Sequence, residues 1–231
     1  MKLSDIELVV FDLDGTLIDS VPDLAIATNQ TLQVLGQPSV SETQVRDFVG
    51  NGADTLLARA LSQNIIVKPE LAPELCLRAR QLFDEFYAQT EHKSSKLYPT
   101  VSTTLAALHQ AGINMALLTN KPSQFLPAIL TQQNIAYCFV DIIGGDTFAR
   151  KKPDPMALAW LLNKYQLKSK QVLMVGDSKH DIETAKNAGC RSFGLSYGYN
   201  HGESIALSRP DFVAQQLDEL LEILGLVGEH G

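Results

Sequence analysis

The chain has 231 residues, 45% of them hydrophobic, and a formal net charge of −7. This length suits one large domain or a core with a smaller insert, and the acidic balance excludes a polyanion such as DNA as the main partner. Asp5, Glu7, Asp12 and Asp14 interrupt the apolar character near the N-terminus and no later stretch reaches spanning length, so neither nucleic acid nor membrane is an expected partner.

Taken in chain order, Leu8-Val9-Val10-Phe11 reads as a buried strand that ends in Asp12-Leu13-Asp14-Gly15-Thr16. Four helices are then expected without a convincing strand among them. The first opens at Pro22 after Ser20 and stops at Gly36; the second is a short one with a Ser41/Gln44 capping box. Gly50-Asn51-Gly52 breaks the chain before a third helix over 53–61, and a fourth runs from about 69 to 90. The polar run 91–96 reads as an exit linker. This divides the chain into residues 1–16 with 93–231, a core, and residues 17–92, an inserted helical domain.

Beyond Tyr98 helices and strands alternate. Helices are expected over 105–110, 122–133, 155–165, 181–188 and 216–224. Strands are expected over 113–118, 139–143, 171–175 and 191–195, with a short one near Phe212. Such alternation predicts an α/β fold with right-handed crossovers, a doubly wound, mostly parallel Rossmann-like core sheet that binds ligands at the carboxyl ends of its strands. Residues 228–231 read as a frayed end.

The candidate chemistry sits at those strand ends. Residues i and i+2 of a strand share a side about 6.5–7 Å apart, so Asp12 and Asp14 face one pocket while Leu13 turns into the core. The strand at 113–118 leads to Thr119-Asn120, and the strand at 171–175 to Gly176-Asp177-Ser178, with Asp181 four residues after Asp177. Lys151-Lys152-Pro153-Asp154-Pro155 lies between them. Each piece alone has an ordinary explanation as a loop, a surface pair or a helix cap. All four in order, each at its strand end, point to one site. Carboxylates gathered at one buried strand edge (Asp12, Asp14, Asp177, Asp181) are costly unless a cation or a reaction uses them, and an all-oxygen site points to a hard divalent ion, Mg²⁺.

Asp12-Leu13-Asp14-Gly15-Thr16, Leu118-Thr119-Asn120, Lys152-Pro153-Asp154-Pro155 and Gly176-Asp177-Ser178-Lys179-His180-Asp181 together resemble the phosphatases of the haloacid dehalogenase superfamily. The helical insert is similar to that superfamily's type-one cap, and Val49-Gly50-Asn51-Gly52-Ala53-Asp54-Thr55-Leu56 is similar to its bacterial phosphoglycolate phosphatase branch. The resemblance implies Asp12 as nucleophile and Asp14 as general acid and base. It implies Asp12, Asp177 and the main-chain carbonyl of Asp14 as Mg²⁺ ligands, with Ser178 and Asp181 behind them. Thr119, Asn120 and Lys152 would hold the phosphate; Lys151 is the alternative lysine, but the one directly before proline matches the pattern. Asn51, as helix cap, and Gly52 would let the first amides of the third helix meet a substrate carboxylate, or else form a plain hinge.

The implied activity is hydrolysis of a small phosphorylated metabolite, 2-phosphoglycolate. A phosphoglucomutase-like transferase, another phosphatase and a non-catalytic binding module are the alternatives. Cys76, Cys138 and Cys190, odd in number and far apart, predict buried free thiols in a reducing, cytoplasmic compartment. His92, His109, His180, His201 and His230 are too scattered for a metal site and read as surface or loop residues. Trp160 reads as a core or cap contact.

Overall fold

The computed structural model describes residue 3 and residues 5–226, so the expectation of a frayed 228–231 and the reading of His230 lie outside the described residues. Strand β1 (Leu8–Phe11) is followed by a two-residue strand β2 (Ile18–Asp19) and four helices. These are α1 (Val21–Val34), α2 (Glu42–Phe48), α3 (Ala53–Ser62) and α4 (Pro73–Gln89). The chain returns through β3 (Lys96–Leu97), antiparallel to β2, so the expected polar linker at 91–96 is in part a paired ribbon. Then follow α5 (Val101–Gln110), β4 (Asn114–Leu118), α6 (Leu126–Gln132), β5 (Asp141–Ile143) and α7 (Met156–Tyr165). The chain closes with β6 (Val172–Gly176), α8 (Lys179–Ala188), β7 (Arg191–Leu195), β8 (Phe212–Ala214) and α9 (Glu219–Ile223).

Six strands form one wholly parallel sheet in the order β5-β4-β1-β6-β7-β8. After β1 the chain builds outward on one side through β4 and β5, then crosses back to place β6 on the other side of β1. A ligand crevice opens where strand order reverses in this way. Phe11 stands in register with Leu117 of β4 and Val175 of β6, so the residues just past the three strands meet at one edge.

Alternation in β1 explains the two-sided core. Val9 and Phe11 pack with Leu105, Leu108 and Ile129 on one face; Leu8 and Val10 pack with Leu158 and Leu161 of α7 on the other. Leu24, Leu56, Phe83 and Tyr87 of the four inserted helices belong to the same apolar cluster as the first face.

The helix starts follow their capping chemistry. Ser41 and Gln44 form the expected capping box of α2, and Ser178 and Asp181 form one for α8, which therefore starts two residues before the expected 181. Proline at the first turn moves two other starts: α4 begins at Pro73 instead of 69, and α6 begins at Leu126, after a single 3-10 turn at 123–125. α5 begins at Val101, four residues earlier than periodicity suggested, whereas α9 is shorter than expected.

Cys138 and Cys190 are buried, but Cys76 is only half-buried; all three are free thiols. Trp160 is neither a core nor a cap contact: it lies on the exposed side of α7 against Phe148, with Lys164 over its ring. Among the described residues no helix is long and apolar enough to cross a membrane.

Candidate active site

Two carboxylates leave β1 into a shared cavity lined by Asp12, Asp14, Thr119, Asn120 and Lys121 on the sheet side. The backbone N–H of Asp12 still donates to Val175 O at 3.0 Å, so the first carboxylate is fixed by the ladder to β6. Gly15, at φ +90°, then turns the chain away, and a side chain there would strike Asp177.

Lys152 reaches the same point from the loop before α7. Its Nζ lies 2.8 Å from Asp12 Oδ1 and 2.6 Å from Asp181 Oδ1, and the lysine is almost wholly buried. Burial opposes its charge, but Asp12 and Asp181 outweigh that and hold its pKa above the ordinary lysine value. Asp181 is held from behind: its Oδ2 accepts from the Ser178 N–H at 3.0 Å and the Ser178 hydroxyl at 2.7 Å. Lys151, by contrast, points outward and donates to Asn51 O at 2.6 Å.

Asp177 is fixed by Thr16 Oγ1 at 2.7 Å and by the backbone N–H of Tyr199 at 2.6 Å. Burial lifts its carboxyl far above the usual range, and the neighbouring Asp181 and Asp12 add to the rise. Burial also raises Asp12; Lys152 pulls against it, and Asp181 and Asp14 restore the rise. The carboxylate share of these shifts comes from proximity. Asp12, Asp177 and Asp181 each offer an oxygen within 4.8 Å of the others.

That donor set fits a divalent cation. It is all carboxylate, the Lys152 ammonium faces it, and among the described residues Asp12 Oδ1 is buried without a hydrogen-bond partner despite its nearness to Lys152. Of the expected ligands, Asp12 and Asp177 are in the cluster; Asp181, expected behind them, offers an oxygen to it as well as bonding Lys152.

Asp14 belongs to a different set of contacts. Its Oδ1 accepts from Ser20 Oγ at 2.6 Å, and both its oxygens take bonds from Lys121 Nζ, at 2.9 and 3.1 Å. Burial opposes the Lys121 charge, and Asp14 reverses that to raise its pKa. The Thr119 hydroxyl accepts from the Lys121 N–H at 3.2 Å, which leaves its own proton without an acceptor among the described residues. Asn120 donates its side-chain amide to Gly50 O and Lys152 O, and its Oδ1 is buried without a partner among the described residues.

The loop 49–52 lies over this floor, but differently from expectation. Asn51 does not cap α3. Gly52 occupies the N-cap with no side-chain bond, and Asn51 Nδ2 instead lies 2.7 Å from His180 Nε2. The positive φ values of Gly50 and Gly52, +117° and +87°, set the loop's course. A Cβ on Gly52 would stand 3.1 Å from Lys151 Nζ and 3.2 Å from Asn120 O. The close approach that Gly52 permits is therefore in part to the protein's own core, although Gly52 and Ala53 also line the cavity.

One histidine departs from the reading as surface or loop residues, and another keeps to its loop but not to the surface. His180 is half-buried in the first turn of α8, and burial lowers its pKa to about 4. His92 is buried in a turn, against Tyr87 and Phe125. Sequence reasoning missed three contributors: Lys121, which directly follows Thr119-Asn120 and so carried a signal, and Gly198 and Tyr199, which carried none. A side chain at Gly198 would collide with Asp177.

A family model for haloacid dehalogenase-like hydrolases matches residues 9–195. A Vibrio cholerae serotype O1 protein named phosphoglycolate phosphatase is 64% identical over 222 residues, covering 96% of this chain and 98% of its own. A Salmonella typhimurium protein of the same name is 42% identical, with 97% and 95% covered. Among solved structures, a predicted phosphoglycolate phosphatase from Haemophilus somnus 129pt aligns with a TM-score of 0.88 at 37% identity, covering 96% of this chain and 99% of its own.

Proposed function

The chain belongs to the haloacid dehalogenase-like hydrolase family, and from that premise we propose that it is a Mg²⁺-dependent phosphomonoester hydrolase acting on 2-phosphoglycolate. The observation that carries the reading is the convergence of a carboxylate nucleophile, a buried lysine and a carboxylate cluster at one strand edge. The phosphoglycolate phosphatases that are 64% and 42% identical over nearly the whole chain support the substrate.

Phosphoryl transfer needs an in-line nucleophile, neutralised phosphate oxygens and a proton for the leaving oxygen. A carboxylate oxygen of Asp12 attacks phosphorus as the ester P–O bond breaks, leaving an aspartyl-phosphate. Asp14 gives its proton to the departing oxygen. Water then attacks the same phosphorus, Asp14 takes its proton, and phosphate leaves Asp12 free. Lys152 and the free proton of Thr119 hold the phosphate oxygens, with Asn120 beside them. A divalent cation held by Asp12, Asp177 and the main-chain carbonyl of Asp14 would supply further charge neutralisation. Asp181 orients Lys152, and Ser178 orients Asp181.

Residues 17–92 act in this reading as a cap over the cavity, and the three free thiols support a reducing, cytoplasmic setting. The test is phosphate release from a panel of about twenty phosphomonoesters, with Mg²⁺ and with chelator. Stoichiometric phosphate from phosphoglycolate, abolished by chelator, is expected. Return of the phosphoryl group to a sugar phosphate would replace hydrolase with mutase, and no turnover of any ester would overturn the reading.

A further inference from the structure

The cavity over Asp12 and Asp14 has a polar floor and an apolar roof. Leu24, Leu56, Phe83 and Phe125 contribute to the roof and offer nothing to an anion. The floor has two buried ammonium groups, Lys152 beside Asp12 and Lys121 beside Asp14. In the mechanism above, Lys152 serves the phosphate. Lys121 has no assigned task.

Lys121 donates to both oxygens of Asp14, and its remaining proton faces the Tyr87 side chain. Its Nζ lies 4.8 Å from the centre of the Tyr87 ring. Tyr87 lines the same cavity, and its buried hydroxyl proton has no acceptor among the described residues. A buried hydroxyl without an acceptor is costly, and an acceptor brought in by a ligand removes that cost.

We propose that Lys121 and the Tyr87 hydroxyl form a carboxylate-recognition site in the leaving-group half of the cavity. The proposal rests on the monoester-hydrolase reading. Because Lys121 bonds the carboxylate that protonates the departing oxygen, an anion on its ammonium lies beside that oxygen. A carboxylate on the carbon bearing the ester oxygen meets this condition. The ligand class is thus the phosphate ester of a short α-hydroxy acid. An alkyl phosphate without the carboxylate leaves Lys121 with Asp14 as its sole counter-ion and the Tyr87 hydroxyl unpaired. The bonds to Asp14 also hold the ammonium in place before substrate arrives, which lowers the ordering cost of binding.

Two ratios test this in wild type, Lys121→Met, Lys121→Arg and Tyr87→Phe. The first is kcat/KM for 2-phosphoglycolate over that for ethyl phosphate. The second is inhibition by 3-phosphonopropionate, the non-hydrolysable carboxylated analogue, over that by propylphosphonate. Lys121→Met should lower both ratios about 10- to 100-fold, as expected for loss of a charge-assisted bond. Lys121→Arg should recover part of the preference, and Tyr87→Phe should lower it about 3- to 10-fold. If Lys121 acted only through Asp14, both esters would lose alike, and unchanged ratios would overturn the proposal in favour of the α3 amides or another reader. Should Lys121→Met fail to fold, an unchanged ratio in Tyr87→Phe overturns it as well. If the wild type cleaves neither ester, the reading of 2-phosphoglycolate as substrate fails, while calorimetric titration with 3-phosphonopropionate and propylphosphonate still judges the carboxylate site.

Discussion

Lys152 Nζ and Asp181 Oδ1 lie 2.6 Å apart with both side chains buried, and the other oxygen of Asp181 is tied to the first turn of α8. A helix cap thereby positions a cation that belongs to a distant loop. The loss of this lysine should be felt in chemistry. Lys152→Met is expected to lower kcat by about 10²- to 10³-fold, the range for removing one transition-state charge partner. Lys151→Ala, whose ammonium only holds Asn51 O, should cost less than about 10-fold in kcat/KM, since a surface bond of this kind contributes little. Steady-state kinetics of the two variants decides, and a reversed order would reassign the lysine.

Asp12→Asn should abolish phosphate release, because an amide does not attack phosphorus. Its stability should hold or rise. The substitution removes one of three clustered carboxylates, while Lys152 keeps Asp181. Thermal melting beside a phosphate-release assay checks both halves. Turnover at the wild-type level would rule out Asp12 as nucleophile.

Gly198→Ala tests a contact far from every motif. A methyl group there enters the space of Asp177 and must displace it from the Thr16 and Tyr199 bonds. The Mg²⁺ concentration for half-maximal activity should rise about 10- to 100-fold, as for disturbed support around a metal ligand. Overpacking should also cost about 1–3 kcal/mol of stability, read by denaturant unfolding. An unchanged Mg²⁺ dependence would mean that Asp177 does not hold the ion.

His180 should make the protein less stable in mild acid. Its pKa falls from 6.5 to about 4 on folding, first through burial and then through His201, Lys152 and Lys179, against the opposing pull of Asp181. Between those values the unfolded chain binds the proton and the folded one does not. Stability from this residue is therefore full above about pH 6.5 and declines as pH falls toward 4. In chelator, melting temperatures of wild type and His180→Gln should diverge between pH 7 and 5, with the wild type losing more. Parallel curves would show that His180 does not titrate with folding.

The sequence by itself determined the sheet and the line of residues at its edge. Apolar runs ended by Asp12-Leu13-Asp14, Thr119-Asn120 and Asp177 could only be buried strands with polar carboxyl ends, because alternation and local turn chemistry act over a few residues. The capping box at Ser41 was legible for the same reason, whereas the one at Ser178 was not read and α8 was expected two residues late. Only the tertiary structure decided that Lys121 bonds Asp14, that Asn51 turns to His180 instead of capping α3, and that the Tyr199 backbone holds Asp177. Those pairs are 107, 129 and 22 residues apart in the chain. Such contacts depend on how the inserted helices and the loop after β7 come to rest on the strand ends. No local pattern in the chain encodes that packing, since it arises from the shared apolar cluster that joins Leu24, Phe83 and Tyr87 to the sheet.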